Sequence, residues 1–154
     1  MASTAIRTRT ATDLDTCVLI LAEVHKTAGY PVNWPADPGG WLSPDNALGC
    51  WVLTVDDEVA GHLIVTAEGD QEALVERLFV DPRRTGGGLG GQLLAYAVAF
   101  AAEQHRRLLL DVVDSRHGAA GFYRRAGWRE IGRTPIDWGG TQASELIRFS
   151  APSS

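Results

Sequence analysis

Two arginines, a threonine and a run of glycines stand together between positions 83 and 90, and residues of these types could bind an anion. Leu78 and Val80 before them alternate as in a strand, and apolar residues follow at helical spacing. A helix that begins at Gly87 or Gly88 leaves its first backbone N–H groups without partners inside the helix, and an anion can accept them. Glycine also lets phosphate oxygens come close to the backbone. The segment therefore predicts a pyrophosphate-binding turn, with a flexible surface loop before an ordinary helix as the alternative.

This turn resembles the acyl-CoA pyrophosphate loop of the GNAT superfamily of N-acyltransferases, whose pattern is Arg/Gln-x-x-Gly-x-Gly/Ala. Arg83, Gly86 and Gly88 fall on the patterned positions. The segment does not match a P-loop or a dinucleotide-binding fingerprint, because the lysine and glycine spacings of those motifs are missing. The resemblance implies that the turn binds acyl-CoA and that backbone amides of the preceding strand polarise the acyl carbonyl. The residues to which it assigns these contacts are Phe79, Val80, Arg83, Arg84, Thr85, Gly86, Gly87, Gly88, Leu89 and Gly90.

A second resemblance covers residues 116–128, where the family pattern is Asn-x-x-Ala-x-x-Leu-Tyr followed by Gly-Phe. Ala119 and Tyr123 match this pattern, and Arg116 stands where asparagine is usual. The resemblance implies that Tyr123 is the general acid that protonates the leaving thiolate, and that Arg116 and Tyr123 also contact the cofactor. The alternative for Tyr123 is a tyrosine packed on its helix with its hydroxyl hydrogen-bonded.

Acetyl transfer to an amine also needs a base, because an alkyl amine with a pKa near 10.4 is mostly protonated at pH 7. Removing that proton costs about 4–5 kcal/mol. Glu76 is the candidate base, since it shares strand parity with Leu78 and Val80 and many members of the family carry a catalytic glutamate at about this place. The alternative is a solvent-facing glutamate on a strand. Other candidates for this role are His25, His62 and Asp111.

The segment 30–44 has four prolines and two adjacent glycines, so it predicts neither a long helix nor a central strand. It nevertheless carries Tyr30, Trp34 and Trp41, which a simple linker does not need. These side chains either pack as a cover or form a wall of the acceptor site. In the second case Asp37 is expected to pair with a cationic amine.

The composition limits the classes of function. A chain of 154 residues suits one domain, and its net charge of −5 argues against a nucleic-acid binder. The two cysteines form no metal or redox motif, so we expect no metal. We find neither a signal peptide nor an apolar run long enough to cross a bilayer, and we therefore expect a cytoplasmic protein that does not bind membranes.

The order of elements predicts an α/β (α+β) fold with a mixed, mostly antiparallel sheet of about six to seven strands flanked by helices. The GNAT resemblance implies that a central parallel pair of strands splays around acyl-CoA. The expected strands are 4–9, 50–55, 59–67, 73–80, 108–113, 128–133 and 144–149, and the expected helices are about 12–27, 88–105 and 117–125.

Together these observations predict an acetyl-CoA-dependent N-acetyltransferase that acts on a small primary amine. A peptide or protein N-terminal acetyltransferase and a non-catalytic acyl-CoA-binding module are the alternatives. The expected partners are acetyl-CoA and the amine. Many GNAT proteins are dimers, so a homodimer stays open, with residues 144–149 as an exchanged or edge strand.

Overall fold

The computed structural model describes residues 2–31, 33–84, 86–113, 119–136 and 144–152. These residues form a single seven-stranded sheet with helices on both faces. The elements in chain order are β1 (Thr4–Thr8), α1 (Ala11–Ala28), α2 (Pro38–Trp41), β2 (Ala47–Val55), β3 (Glu58–Glu68), β4 (Glu72–Val80), a 3₁₀ turn (Pro82–Arg84), α3 (Leu89–Glu103), β5 (Arg107–Val113), α4 (Ala119–Arg125), β6 (Arg129–Ile136) and β7 (Ser144–Ser150). None of the helices described is both long and apolar enough to cross a membrane.

The strand order is β1-β2-β3-β4-β5-β7-β6, and every neighbouring pair is antiparallel except β4 and β5. This confirms the predicted mixed, mostly antiparallel sheet. One part of the prediction is wrong. Residues 144–149 do not form an edge strand, because β7 lies between β5 and β6. The edge strand on this side of the sheet is β6, which precedes β7 in the sequence.

Helix α1 begins at Ala11, one residue before the start expected from the sequence. Thr10 is the N-cap and forms a capping box with Asp13, because each side chain accepts a hydrogen bond from the backbone N–H of the other residue. Gly29 ends the helix in the left-handed conformation, as expected from its position. The buried face of α1 packs on Val52 of β2 and Phe79 of β4, which fixes α1 across one face of the first half of the sheet.

Strand β4 carries an extra residue where it pairs with β3. Glu76 pairs with Ile64 and Phe79 pairs with His62, so β4 advances by three residues where β3 advances by two. Arg77 lies at the irregularity with a φ of 51°. Such a bulge shifts the side-chain alternation by one position.

The bulge corrects the expectation that Glu76 shares a face with Leu78 and Val80. Leu78 and Val80 pack against the core beneath α3, whereas Phe79 belongs to the cluster beneath α1. Glu76 lies on the same face as Phe79, since their partners Ile64 and His62 are two residues apart on β3. The carboxylate of Glu76 therefore belongs to the α1 face.

The parallel pair of β4 and β5 is short. Its register runs only from Glu72 opposite Arg107 to Val75 opposite Leu110. Beyond this point β4 continues to Val80 and β5 to Val113, and no pairing joins these described residues. The two strands therefore bound a gap, in line with the expected splayed pair.

Candidate active site

One backbone N–H near the end of β4 points into the gap between β4 and β5. Asp81 donates its N–H to the carbonyl of Ala60 on β3 at 2.7 Å. Hydrogen bonds of an antiparallel strand alternate between its two sides, so the N–H of Val80 points away from β3 and into the gap. The same alternation directs the N–H of Phe79 to β3. Of the two predicted donors, Val80 has the better placed amide.

Helix α3 begins without a side-chain cap. Its N-cap is Gly88, in the left-handed conformation with a φ of 73°, and Gly86 before it has a φ of 89°. The first hydrogen bond inside the helix runs from the N–H of Gln92 to Gly88 O at 3.1 Å. The earlier N–H groups therefore have no partner within the helix. A side chain placed at Gly86, Gly88 or Gly90 would meet nothing within 4 Å, so the space in front of this helix end is open.

The predicted residues around this helix end differ in what they can offer. The side chain of Leu89 is buried in the core, so only its backbone N–H is available. Arg83 binds Asp81 at 2.9 Å and Arg84 binds Glu58 at 2.7 Å. Both guanidinium groups are thus paired within the protein, which reduces the free positive charge expected from the sequence. Two further predicted cofactor contacts, Thr85 and Arg116, lie outside the described residues.

Glu76 lies at the point where β4 and β5 separate, and it is partly buried. Burial raises the pKa of its carboxyl group, and the neighbouring Arg77 opposes the rise. Arg77 donates a hydrogen bond from Nη1 to Glu76 Oε2 at 2.7 Å. The negative charges of Asp111 and Glu68 add to the rise in the pKa of Glu76. A carboxylate in this setting is more basic than a solvent-exposed glutamate.

Two of the predicted acceptor residues join this cluster. The guanidinium of Arg77 stacks over the Trp41 ring at 4.0 Å and donates from Nε to Trp41 O at 3.3 Å. The Tyr30 ring lies 6.0 Å from that of Trp41. Burial raises the pKa of Tyr30, and the charge of Arg77 lowers it in part. We call Tyr30 and Trp41 the acceptor wall.

The other two predicted acceptor residues lie elsewhere. Trp34 is exposed and packs against His25 at 5.5 Å, near the end of α1. Asp37 is the N-cap of α2, and its carboxylate accepts the N–H of Gly40 at 3.1 Å. Asp37 is therefore engaged in starting the short helix that carries Trp41.

Tyr123 lies on α4, packed against Trp128 at 6.2 Å and Phe149 at 5.9 Å between ring centroids. Burial raises the pKa of its hydroxyl group, so the tyrosine is protonated at neutral pH. Within the described residues this hydroxyl has no hydrogen-bond partner. The ring contacts agree with the alternative of a packed tyrosine, whereas no described residue supplies the hydrogen bond that this alternative also expects.

A charged row beside Glu76 was missed by the sequence analysis. Arg148 on β7 binds both oxygens of Asp111, from Nε at 2.8 Å and from Nη2 at 2.9 Å, and reaches Glu68 at 3.2 Å. Asp111, considered as a base, is thus held in an ion pair. The available signal was a single arginine between the apolar residues Ile147 and Phe149. Arg77 gave a similar signal in β4.

Comparison with known proteins places these features in a family. Residues 18–128 match the model of the acetyltransferase (GNAT) family. The chain is 32% identical over 88 residues to the peptidyl-lysine N-acetyltransferase YjaB of Salmonella typhimurium, a match that covers 56% of this chain and 54% of that protein. The chain spans about half the length of the curated relatives it matches.

Solved structures share the whole fold. The ribosomal-protein-S18-alanine N-acetyltransferase from Escherichia coli superposes with a TM-score of 0.75 at 20% identity, covering 99% of this chain and 96% of that one. A GNAT family acetyltransferase from Elizabethkingia anophelis with acetyl-CoA bound gives 0.67 at 16% identity, covering 97% and 98%. At such identities the likeness concerns the fold alone.

Proposed function

This chain belongs to the GNAT acetyltransferase family, and from that premise we propose that it transfers an acetyl group from acetyl-CoA to the primary amine of a small molecule. The observation that carries the proposal is a convergence on one gap. An uncapped helix end lies at the mouth of the gap, and a basic carboxylate lies where its strands part. The buried Tyr123 is close enough to Tyr30 of the acceptor wall to raise the pKa of Tyr30.

On the donor side, the first N–H groups of α3 suit a pyrophosphate, because they are unpaired and the helix dipole favours an anion there. The open space at Gly86 and Gly88 lets phosphate oxygens approach the backbone. In this proposal the N–H of Val80, which points away from β3, hydrogen-bonds the acyl carbonyl and stabilises the charge that develops on its oxygen. Acetyl-CoA supplies an activated acyl group as a thioester.

Glu76 serves as the base that takes a proton from the acceptor ammonium group. The resulting free amine attacks the thioester carbon, a carbon–nitrogen bond forms, and the carbon–sulfur bond breaks. The nitrogen gives up its second proton as the amide forms, and this proton replaces the one that the acid supplies to the thiolate. The raised pKa of Glu76 brings its basicity closer to that of the amine, which favours proton transfer. Arg77 keeps the carboxylate oriented through their hydrogen bond.

Tyr123 serves as the acid that gives its hydroxyl proton to the departing thiolate. Its protonated state and its lack of a competing partner among the described residues support this role. The acceptor wall of Tyr30 and Trp41 gives the amine an aromatic surface. We also propose that the protein works in the cytoplasm, and a homodimer stays a prediction.

A peptide acceptor is the second candidate, because the YjaB relative is named as a peptidyl-lysine N-acetyltransferase. The test measures release of CoA thiol from acetyl-CoA with amino acids, polyamines, aminoglycosides and short lysine peptides. Turnover with one small amine supports the proposal, and turnover with peptides alone supports the second candidate. Tight binding of acetyl-CoA without any release favours a non-catalytic module, and failure to bind it contradicts the donor side.

A further inference from the structure

His62 is a fully buried histidine on β3 for which the proposed reaction has no use. Its ring stacks on Phe79 with centroids 4.9 Å apart and an interplanar angle of 20°. Burial lowers the pKa of His62 to about 4, so the imidazole is neutral at physiological pH. A neutral imidazole has one donor and one acceptor, and the two are distinct.

The hydrogen-bond partners of His62 show which ring nitrogen donates and which accepts. Nδ1 lies 2.8 Å from the carbonyl of Arg77, and Nε2 lies 2.9 Å from Nη1 of Arg9. A carbonyl can only accept and a guanidinium can only donate. His62 therefore donates from Nδ1 to Arg77 O and accepts at Nε2 from Arg9, so the imidazole has a partner on each side.

Arg9 extends this series of hydrogen bonds to the segment that follows Trp41. Its Nη1 also donates to Leu42 O at 2.6 Å, and its Nη2 donates to Ser43 Oγ at 3.0 Å. The two protons of Nη1 are thus shared between His62 and the backbone of this segment. One guanidinium group touches both the buried imidazole and the residues next to the acceptor wall.

At its other end, this series of hydrogen bonds reaches the bulge of β4. Arg77 has a φ of 51°, a conformation that is uncommon for residues other than glycine and persists where the surroundings hold it. His62 holds its carbonyl, and Trp41 accepts a hydrogen bond from its side chain. The bulge also sets the face on which Glu76 lies. The geometry of the bulge is therefore held by the contacts of Arg77 with His62 and with Trp41 of the acceptor wall.

We propose that His62 and Arg9 are positioning residues that couple the acceptor wall to the bulge of β4. Through the contacts from Leu42 and Ser43 to Arg9, His62 and Arg77 O, an ordered wall holds Glu76 and the following β4 amides in their reactive arrangement. The inference rests on the proposed function, because Glu76 and Val80 have their roles there.

The coupling differs from simple core packing in what each substitution changes. His62→Phe keeps an aromatic ring on Phe79 but removes the donor to Arg77 O, so the bulge is released. Arg9→Met keeps an unbranched stem and removes the contacts to the wall, whereas His62 still donates to the bulge. We expect His62→Phe to lower kcat at least tenfold. Arg9→Met is expected to raise the acceptor KM at least fivefold and to lower kcat by about threefold, less than His62→Phe does, because His62 keeps its donor to the bulge but loses its contact to the wall.

Two further variants control for stability. His62→Gln carries a donor and an acceptor on one amide, so it is expected to recover most of the kcat lost in His62→Phe. Thr66 lies on the same strand as His62, and its buried hydroxyl has no hydrogen-bond partner among the described residues. Thr66→Val is expected to leave both kinetic constants within twofold. The coupling is wrong if losses in all four variants follow their melting temperatures without a split between kcat and KM.

Amide hydrogen exchange tests the same coupling without turnover. In the intact chain, Arg9→Met is expected to increase exchange in residues 76–80 as well as 41–43, although Arg9 touches only the second segment directly. Faster exchange in 41–43 alone overturns the coupling, even if the enzyme acetylates amines. Faster exchange in both segments upholds it, even if the amine panel gives no turnover and the proposed function fails.

Discussion

The two sides of the gap between β4 and β5 are formed by different kinds of groups. The proposed donor side is almost entirely backbone, namely the turn around Gly86 and Gly88 and the first N–H groups of α3. The proposed acceptor side consists of side chains brought together from distant parts of the chain: Tyr30 and Trp41 beside Glu76 and Arg77. One side is local in sequence, and the other depends on the completed fold.

This difference separates affinity from turnover. Backbone N–H groups at a helix end are fixed by the helix itself and need no further positioning. A carboxylate and an aromatic wall are useful only when packing holds them in place. Changes on the donor side should therefore act on acetyl-CoA binding, and changes on the acceptor side should act on kcat and on the acceptor KM.

The largest effect is expected for Glu76→Gln, because this variant removes the proposed base and keeps the shape of the side chain. We expect kcat/KM at pH 7 to fall by about 10²–10⁴-fold, the usual contribution of general base catalysis. Since burial raises the pKa of Glu76, the acid limb of the wild-type profile should lie above the ordinary glutamate range. The limb should disappear in the variant, as measured by the pH dependence of kcat/KM.

The matched control for this variant is Glu72→Gln, on the same strand but paired with Arg107 at 3.5 Å near the surface. It should leave the pH profile unchanged. An acid limb that survives in Glu76→Gln would assign the base to water or to another residue.

The next effect is expected for Tyr123→Phe. Without the hydroxyl the thiolate leaves unprotonated, so kcat should fall about tenfold or more, while the ring still packs on Trp128 and Phe149. The Kd for acetyl-CoA, measured by calorimetry, should stay the same. Tyr96→Phe serves as the control, because Tyr96 packs edge-on against Trp51 in the core beneath α3. Equal kcat in the two variants would remove the acid role.

A donor-side change should act on affinity instead. Gly88→Val places a branched side chain at a left-handed position, at a cost of roughly 1–2 kcal/mol, and disturbs the start of α3. Such a cost corresponds to about a tenfold higher Kd for acetyl-CoA if binding requires the native turn. The acceptor KM should not change.

Gly69→Val is the matched control, since Gly69 is also left-handed and also has open space around it, but it lies in the turn between β3 and β4. Both variants should lose similar thermal stability, and only Gly88→Val should lose affinity. Equal affinities in a calorimetric titration would show that the turn does not hold the donor.

The smallest effect is expected for Asp37→Asn. Asparagine caps a helix about as well as aspartate, so α2 and Trp41 should stay in place without the charge. The acceptor KM should stay within about twofold of the wild type for a cationic amine. A larger increase in KM would restore Asp37 to the amine-binding role that the sequence suggested.

The donor side could be predicted from sequence because its signals are local. Glycines at a strand–helix junction predict an uncapped helix, and α3 indeed begins after Gly88. The acceptor side could be predicted only in part. Nothing next to Arg77 signals an extra residue in β4, so strand parity assigned Glu76 to the wrong face. Arg148 meets Asp111 only after β7 inserts beside β5, a pairing that no local pattern records.

Arg83 and Arg84 are already bound to Asp81 and Glu58, and this has a consequence for the speed of donor capture. The chain carries a net charge of −5 and so repels a polyanion at long range, whereas helix N–H dipoles attract it only on contact. Dissolved salt shortens the range of that repulsion, to about 8 Å at physiological ionic strength, and leaves the contact attraction largely intact. Added salt should therefore speed the association of acetyl-CoA, the reverse of what a site made of free lysines and arginines would show.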